Sequence, residues 1–431
     1  MKIAAYTNSM DGSGARRVFF EFVKRLTEAG HHVDLYHLSG TPIQKFPFAE
    51  YVKEIYSYPM AQFRDLSFKP YIASLAADLF RKVFYLNQLK RISQEMCKDI
   101  NSRGYDLVFS DVCNLLRAPY QLRFVKIPSV FYLHHPKREA YEPLHLIVSN
   151  FSCEGQPPLI RLYKKLSAAL YQADNILVGH ISKTNAQAAS LVLTNSYYTR
   201  EYIYKVYGVF AKVIYPGIDI SRFHPLNLPR KNYVMSVGGI EETKGFKDIV
   251  LGLSLIPSDK RPSLVIVAGR RQPRIYSELV SLAKEKDVKL SVFENITDEE
   301  LIRLYNEALA VVFMPLMEPL GLVPLESMAC GTPVIGVKEG GVRESIIDGQ
   351  TGILIDRDAQ ALADAVIRLM ESPELHERFS QNGITYVREQ WNWDKAFVRF
   401  DACIEKLSEK KKNLYSLLST ASEVSSFNTG C

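Results

Sequence analysis

The sequence predicts an α/β protein built from two doubly wound domains, and three observations carry that expectation. The chain has 431 residues, too long for one ordinary core and comfortable for two domains. Short apolar runs of strand length alternate with amphipathic helical patterns along most of it. The alternation breaks once, at a turn-rich stretch that begins at Tyr215, and then restarts. Apolar residues make up 47% and charged residues 23%, a balance that excludes a disordered chain, a collagen-like rod and a disulfide scaffold.

Ile3–Thr7 reads as a strand, Ala15–Ala29 as an amphipathic helix and Val33–Leu38 as a strand after the turn at Gly30. Further strands are expected at Tyr105–Ser110, Pro128–Leu133, Asn175–Val178, Leu191–Thr194 and Lys212–Tyr215, which closes a first domain over 1–215. Strands spaced by helices imply a parallel sheet covered on both faces. Pro216, Pro225 and Pro229 extend neither a helix nor a central strand, so 216–230 reads as a linker.

In a second domain over 231–390, strands are expected at Tyr233–Val237, Leu264–Ala268, Lys289–Phe293, Ala310–Met314, Pro333–Val337 and Gly352–Ile355. Helices are expected at Phe246–Leu255, Glu278–Lys286 and Asp298–Ala308, the last with Thr297 and Glu300 spaced for a capping box. Ala359–Met370, Glu374–Glu389 and Trp393–Lys412 read as closing helices, and 413–431 as a loose Ser-rich tail. Two facing domains of this kind put a site in the cleft between them, at the carboxyl ends of the strands.

Net charge is +6, but through Tyr215 the chain holds 27 basic and 17 acidic residues, a charge of +10. A basic front half fits an anionic partner such as a phosphorylated lipid, a membrane surface or a nucleic acid, and equally a solvated face. No nucleic-acid reading motif accompanies it, so no nucleic-acid partner is expected. Segments Phe80–Ile92 and Arg161–Lys165 mix cations with large apolar side chains, as helices lying on anionic bilayers do and as half-buried helices also do. The six cysteines are scattered without a Cys-x-x-Cys pair, and no basic-then-apolar leader or membrane-length apolar run is present. A cytoplasmic protein is expected, with peripheral contact to a membrane face as a further expectation.

The segment from Phe313 to Ile335 is the most informative. A buried strand ends at Met314, a short loop holds Glu318, and a helix begins near Leu322, with Pro324 tolerated in its first turn. Amides of Leu322 and Val323, after Gly321, would meet a phosphate with the positive helix end behind them. Glu326 lies one turn inside, where a carboxylate accepts from a vicinal diol such as a ribose, and Glu318 reaches the other end of the same ligand.

Residues 318–326, followed by Met-Ala-Cys-Gly-Thr-Pro-Val-Ile, resemble the retaining nucleotide-sugar glycosyltransferases of family 4, which have the GT-B fold. The resemblance continues through Glu339–Glu344, Asp348–Leu354, Leu193–Ser196 and Pro216–Phe223. It implies the GT-B architecture and a helix over 391–412 returning to the first domain. It also implies transfer of a sugar from a nucleoside diphosphate sugar to a glycan, lipid-linked or small-molecule hydroxyl, with retention.

The resemblance places a phosphate-binding lysine at Lys244, after Gly238 and Gly239, where a cation neutralises charge growing on the leaving diphosphate. Relatives usually carry arginine where this chain has Gly239, so Arg270 or Arg271, at a neighbouring strand end, is the candidate substitute. In the front domain Asp11–Ala15 follows the first strand, and Gly14 lets backbone amides approach the donor or acceptor. His134, with His135 as the alternative, ends another strand where relatives place a histidine on the transferred sugar. Catalytic roles thus fall to Glu318, Lys244 and His134.

Asp356-Arg357-Asp358 mimics an Asp-x-Asp metal motif but precedes a helix, which capping explains better. No catalytic metal and no cofactor are expected; the nucleotide sugar is a substrate. A dinucleotide-dependent oxidoreductase is the rival from another class, but Gly12-x-Gly14 lacks the third glycine of that fingerprint. A catalytically silent sugar-nucleotide-binding subunit is the second rival, and Gly239 is the argument for it.

Overall fold

The computed structural model describes residues 1–8, 14–39, 46–60, 71–138 and 157–409, with side chains omitted at 71–79 and 159. The chain divides into two units, one of Met1–Thr194, Arg200–Ile214 and the chain from Phe397 on, the other of Asn195–Thr199 and Tyr215–Ala396.

The first unit holds a seven-stranded sheet of β1 (Lys2–Asn8), β2 (His32–Leu38), β3 (Ile55–Tyr58), β4 (Leu107–Cys113), β5 (Ser129–Tyr132), β6 (Leu191–Thr194) and β7 (Lys212–Val213). Its order is β3-β2-β1-β4-β5-β6-β7, and every pairing is parallel. The second unit holds β8 (Lys231–Val237), β9 (Ser263–Ala268), β10 (Leu290–Glu294), β11 (Ala308–Phe313), β12 (Val334–Val337) and β13 (Gly352–Ile355). Their order is β10-β9-β8-β11-β12-β13, again all parallel. In each sheet the strand order reverses beside the first strand, at β1/β4 and at β8/β11, the switch points where such sheets bind ligands.

Period-two burial explains why the second sheet is covered on both sides. Val234, Ile266 and Val312 pack with helices Phe246–Ser254 and Ala359–Glu371, while Met235, Val265 and Val311 point to the opposite core around Met328 and Trp391. The capping box at Thr297 and Glu300 is formed, and Asp358 caps its helix by accepting from the Ala361 amide. In the first unit Phe400, on the helix over 393–409, stacks on Phe22 at 4.4 Å and meets Phe109 edge-on at 5.0 Å.

One expected strand is corrected. Asn175–Val178 lies inside the helix Pro158–Gln187. Buried positions recur there at Asn175, Val178, Ser182 and Asn185, a helical period that a four-residue apolar run does not reveal by itself. Strand β3 and the full extent of helix Tyr71–Ser102 were not expected from the pattern. Asp11, Gly12 and Ser13, like Cys153, Cys431 and the tail, lie outside the described residues.

Candidate functional site

At the β8/β11 switch point two turns are built against each other. Gly245 has φ 72°, and a Cβ there would stand 2.0 Å from the Met314 carbonyl oxygen, so only glycine lets the turn after β8 approach the end of β11. The Leu316 amide donates to the Thr243 carbonyl at 2.8 Å, locking the turns together. Lys244 emerges from this contact with its stem packed over Gly238, and its Nζ donates to Glu318 Oε2 at 2.9 Å. The structure therefore joins two residues that the sequence assigned to one ligand. Both side chains keep about a quarter or less of their surface exposed, a partly screened pair open to a competing anion.

The loop that carries Glu318 is fastened along its backbone. Arg357 donates to the carbonyl oxygens of Met314 and Pro315, and pairs with Asp248 and Glu339. The Gly341 amide donates to the Glu318 carbonyl at 2.7 Å, and a Cβ on Gly341 would stand 2.0 Å from the Pro319 oxygen. Ser196 donates to that Pro319 oxygen at 2.6 Å. Glu344 accepts from the amides of Tyr197 and Tyr198 and from the Tyr215 hydroxyl, which ties this corner to the first turn of Tyr197–Tyr207. Sequence reading saw Arg357 only as part of a capping motif; nothing in the sequence marks it as a clamp.

Helix Leu322–Ala329 begins directly after this loop, with Gly321 at its N-cap and no side-chain cap. The amides of Leu322 and Val323 stand in the turn whose donors an α-helix leaves unused. Glu326 is half-buried in the next turn, and the hydroxyl of buried Tyr305 donates to its Oε2 at 2.9 Å. That bond orients the carboxylate and offsets part of its burial cost. Tyr305 had no sequence signal, since its helix showed only an amphipathic period.

Arg270 and Arg271 separate cleanly. Ile240 donates to the Arg270 carbonyl at 2.9 Å, so the two strand ends run together. A Cβ on Gly239 would lie 3.3 Å from Arg270 Cγ and 2.9 Å from Glu241 Oε1, so Arg270 fills the space beside Gly239. Its guanidinium pairs with Glu241 and stays 74% exposed. Arg271 turns away, pairing with Glu294 at 3.2 Å and covering the Tyr276 ring at 4.4 Å.

In the first unit, Gly14 opens helix Gly14–Glu28, and the His134 ring is hydrogen-bonded with the backbone of the next residue, Ala15. Burial, and then the nearby Arg117 charge, push the His134 pKa down to about 3, so it is neutral. Its Nε2 is buried without a hydrogen-bond partner, an acceptor or donor held in reserve at a strand end. His135 is pushed down by the same two causes, and its Nδ1 donates to the Pro136 carbonyl at 2.8 Å. Arg117, which sequence reading missed, sits at φ 51° in a loop closed by reciprocal backbone bonds with Cys113. The residues over Leu115–Ala118 carry no motif that would have flagged it.

Among the described residues no group of three or more His, Cys, Asp or Glu side chains is placed to hold a metal ion. Cys97, Cys113, Cys330 and Cys403 are buried free thiols.

Residues 12–222 match the family described as Glycosyltransferase Family 4, and residues 218–386 match Glycosyl transferases group 1. The D-inositol 3-phosphate glycosyltransferase of Thermomonospora curvata is 31% identical over 217 residues, covering 43% of this chain and 49% of that relative. The alpha-maltose-1-phosphate synthase of Mycobacterium tuberculosis is 28% identical over 242 residues, covering 49% and 62%. The chain thus spans about half to three-fifths of the length of these relatives. A longer match, to the D-inositol 3-phosphate glycosyltransferase of Thermobifida fusca, is 26% identical over 404 residues and covers 87% and 84%.

Among solved structures, HepE of Anabaena in complex with UDP and glucose superposes with a TM-score of 0.70 at 16% identity, covering 94% of this chain and all of that one. Sucrose-phosphate synthase of Thermosynechococcus elongatus gives 0.67 at 22% identity, covering 97% and 99%. These likenesses show the fold. With the two family matches overlapping at 218–222 and together spanning residues 12–386, and both sheets wound as that fold requires, the chain belongs to the family 4 glycosyltransferases of GT-B architecture.

Proposed function

We propose that this chain is a retaining, metal-independent glycosyltransferase that moves a sugar from a nucleoside diphosphate sugar to an acceptor hydroxyl. The observation that carries the reading is the Lys244–Glu318 pair at the second unit's switch point, on the loop that leads into the Leu322 helix start. An incoming diphosphate offers Lys244 and the Leu322 and Val323 amides a stronger anion than Glu318 does. Glu318 then turns to the sugar hydroxyls, and Glu326, oriented by Tyr305, takes the ribose. Gly238, Gly239 and Gly321 keep the backbone close to the ligand, and Arg270 adds charge beside Gly239.

Gly14 and His134 serve the transferred sugar and the acceptor. The anomeric C–O bond to the phosphate breaks, the acceptor oxygen bonds to the same face of that carbon, and its proton passes to the departing phosphate oxygen. Lys244 and the helix start supply the charge stabilisation that a divalent ion supplies elsewhere. The UDP and glucose bound by HepE support a nucleotide-sugar donor. Glycans, lipid-linked sugars and small molecules remain the acceptor classes, in a cytoplasmic setting with peripheral membrane contact.

The test is binding and turnover of a panel of UDP-, GDP- and ADP-sugars, compared between the parent and Glu326→Ala. We expect one donor to raise the melting temperature and the variant to bind it about tenfold or more weakly at nearly unchanged stability. Unchanged affinity in folded Glu326→Ala refutes the assignment. A catalytically silent donor-binding subunit is the second reading, favoured by Gly239; binding without any donor hydrolysis or transfer would select it.

A further inference from the structure

Two long helices of the first unit, Tyr71–Ser102 and Pro158–Gln187, carry apolar surface that the unit's core does not use. They lie side by side, since Lys82 pairs with Asp174 and Val178 joins Leu86 and Leu89 in one core cluster. On the second helix Leu162, Leu166, Leu170 and Leu177 recur at helical spacing and are all exposed, and Ile176 beside them is 69% exposed. On the first helix Phe80 is 64% exposed, with Val83 and Phe84 exposed one turn later. Single exposed apolar side chains are ordinary on a soluble surface, but a stripe running several turns marks an interaction face.

Among the described residues of the two helices, the charge on this surface is predominantly basic. Pro158–Gln187 holds a single acid, Asp174, which is taken up by Lys82 and Lys137, against Arg161, Lys164, Lys165 and Lys183. Residues 80–94 of the first helix hold no acid, and carry Arg81, Lys90 and Arg91 besides the paired Lys82. Apolar side chains flanked by an excess of cations complement a bilayer whose surface is anionic. No helix among the described residues is long and apolar enough to cross a membrane.

We propose that this two-helix face docks the protein on an anionic lipid bilayer. Leucine and phenylalanine side chains enter the acyl boundary while the flanking lysines and arginines hold the headgroup phosphates. The placement gives the surface a use. Lys137, three residues past His134, pairs with Asp174 at 3.8 Å, so the strand end that carries His134 adjoins the docking helix. A lipid-linked acceptor is the class this arrangement serves, a corollary that rests on the glycosyltransferase reading, whereas docking itself does not.

The experiment is co-sedimentation of the full chain with vesicles of phosphatidylcholine alone or with phosphatidylglycerol, at low and high salt. We expect binding to the anionic vesicles only, weakened by salt. Leu166→Glu should reduce it about tenfold or more, and Arg161→Ala and Lys165→Ala about fivefold each. Because Leu166 is exposed, the Leu166→Glu variant should keep the parent's melting temperature; if it does not, the two cation variants decide. No binding, equal binding to both vesicle types, or parental binding by the cation variants overturns the proposal. So does a parent dimer that Leu166→Glu splits while vesicles are ignored, which assigns the face to a second copy of this chain. Vesicle binding requires no donor, so a protein that docks but transfers nothing overturns the proposed function alone.

Discussion

Replacing Arg270 by alanine tests whether this chain has moved a phosphate-binding cation from one strand end to the next. Arg270 fills the space beside Gly239, but its guanidinium is 74% exposed and engaged with Glu241. A hydrogen bond to a charged group contributes about 1.5–3 kcal/mol, and water together with the Glu241 competitor brings this contact to about 1 kcal/mol. That corresponds to about a fivefold loss of UDP affinity in Arg270→Ala, read by titration calorimetry. Restoring the cation from position 239 should recover it. In the double variant Gly239→Arg, Arg270→Ala the close approach to Arg270 Cγ is gone, and the remaining 2.9 Å contact is with the end of the flexible Glu241 side chain. Arg271→Ala should bind UDP as the parent does, because Arg271 is held by Glu294 and Tyr276. Parental affinity in Arg270→Ala, or a folded double variant no better than the single one, refutes the reasoning.

Three other perturbations probe the framework. Gly341→Ala forces a Cβ to 2.0 Å from the Pro319 oxygen, so the Glu318 loop must shift; chemical denaturation should show a loss of about 1–3 kcal/mol, and donor binding should fall with it. Tyr305→Phe keeps the buried ring but removes the bond to Glu326, and calorimetry should show donor affinity falling about fivefold or more. His134 has its pKa lowered in the folded state to about 3, so the unfolded chain binds the extra proton first as pH falls. Its contribution to stability is present above about pH 6.5 and is lost progressively toward about pH 3, at up to about 1.4 kcal/mol per pH unit. His134→Gln should therefore flatten the fall in melting temperature across that window, and an unchanged acid limb contradicts the assignment.

The architecture was legible because burial on both faces of a parallel sheet leaves short, nearly continuous apolar runs that local pattern reports well. Thr297 with Glu300, and Asp358, were readable for the same reason, since a cap is a contact between residues three apart. Asn175–Val178 was misread because a four-residue run lacks the length to distinguish periods of 2 and 3.6. The site residues on the Glu318–Glu326 segment lie within one loop and one helix, so spacing along the chain approximates spacing in space. Their partners do not. Tyr305 lies 21 positions from Glu326, Lys244 lies 74 from Glu318, and Arg357 lies 43 from the Met314 carbonyl it holds. Those separations are set by which strands neighbour one another, which no short window contains.

On the proposed reading, the fasteners on that loop would let one carboxylate serve two states. Arg357, Gly341 and Ser196 all act on main-chain groups from Met314 to Pro319, whereas the Glu318 carboxylate accepts from Lys244. The backbone is therefore fixed while the side chain is left to exchange partners. Glu318 leans on Lys244, and a lone half-buried carboxylate would be costly. On that reading, a diphosphate that took Lys244 would strip that partner away, and hydroxyls on the sugar it carries would replace it. A bare nucleoside diphosphate bound in that way would leave Glu318 unpaired, whereas a nucleotide sugar would satisfy both groups at once. On the proposed reading, the Lys244–Glu318 pair would thus penalise the product relative to the substrate, which would favour release of the nucleotide once the sugar has left.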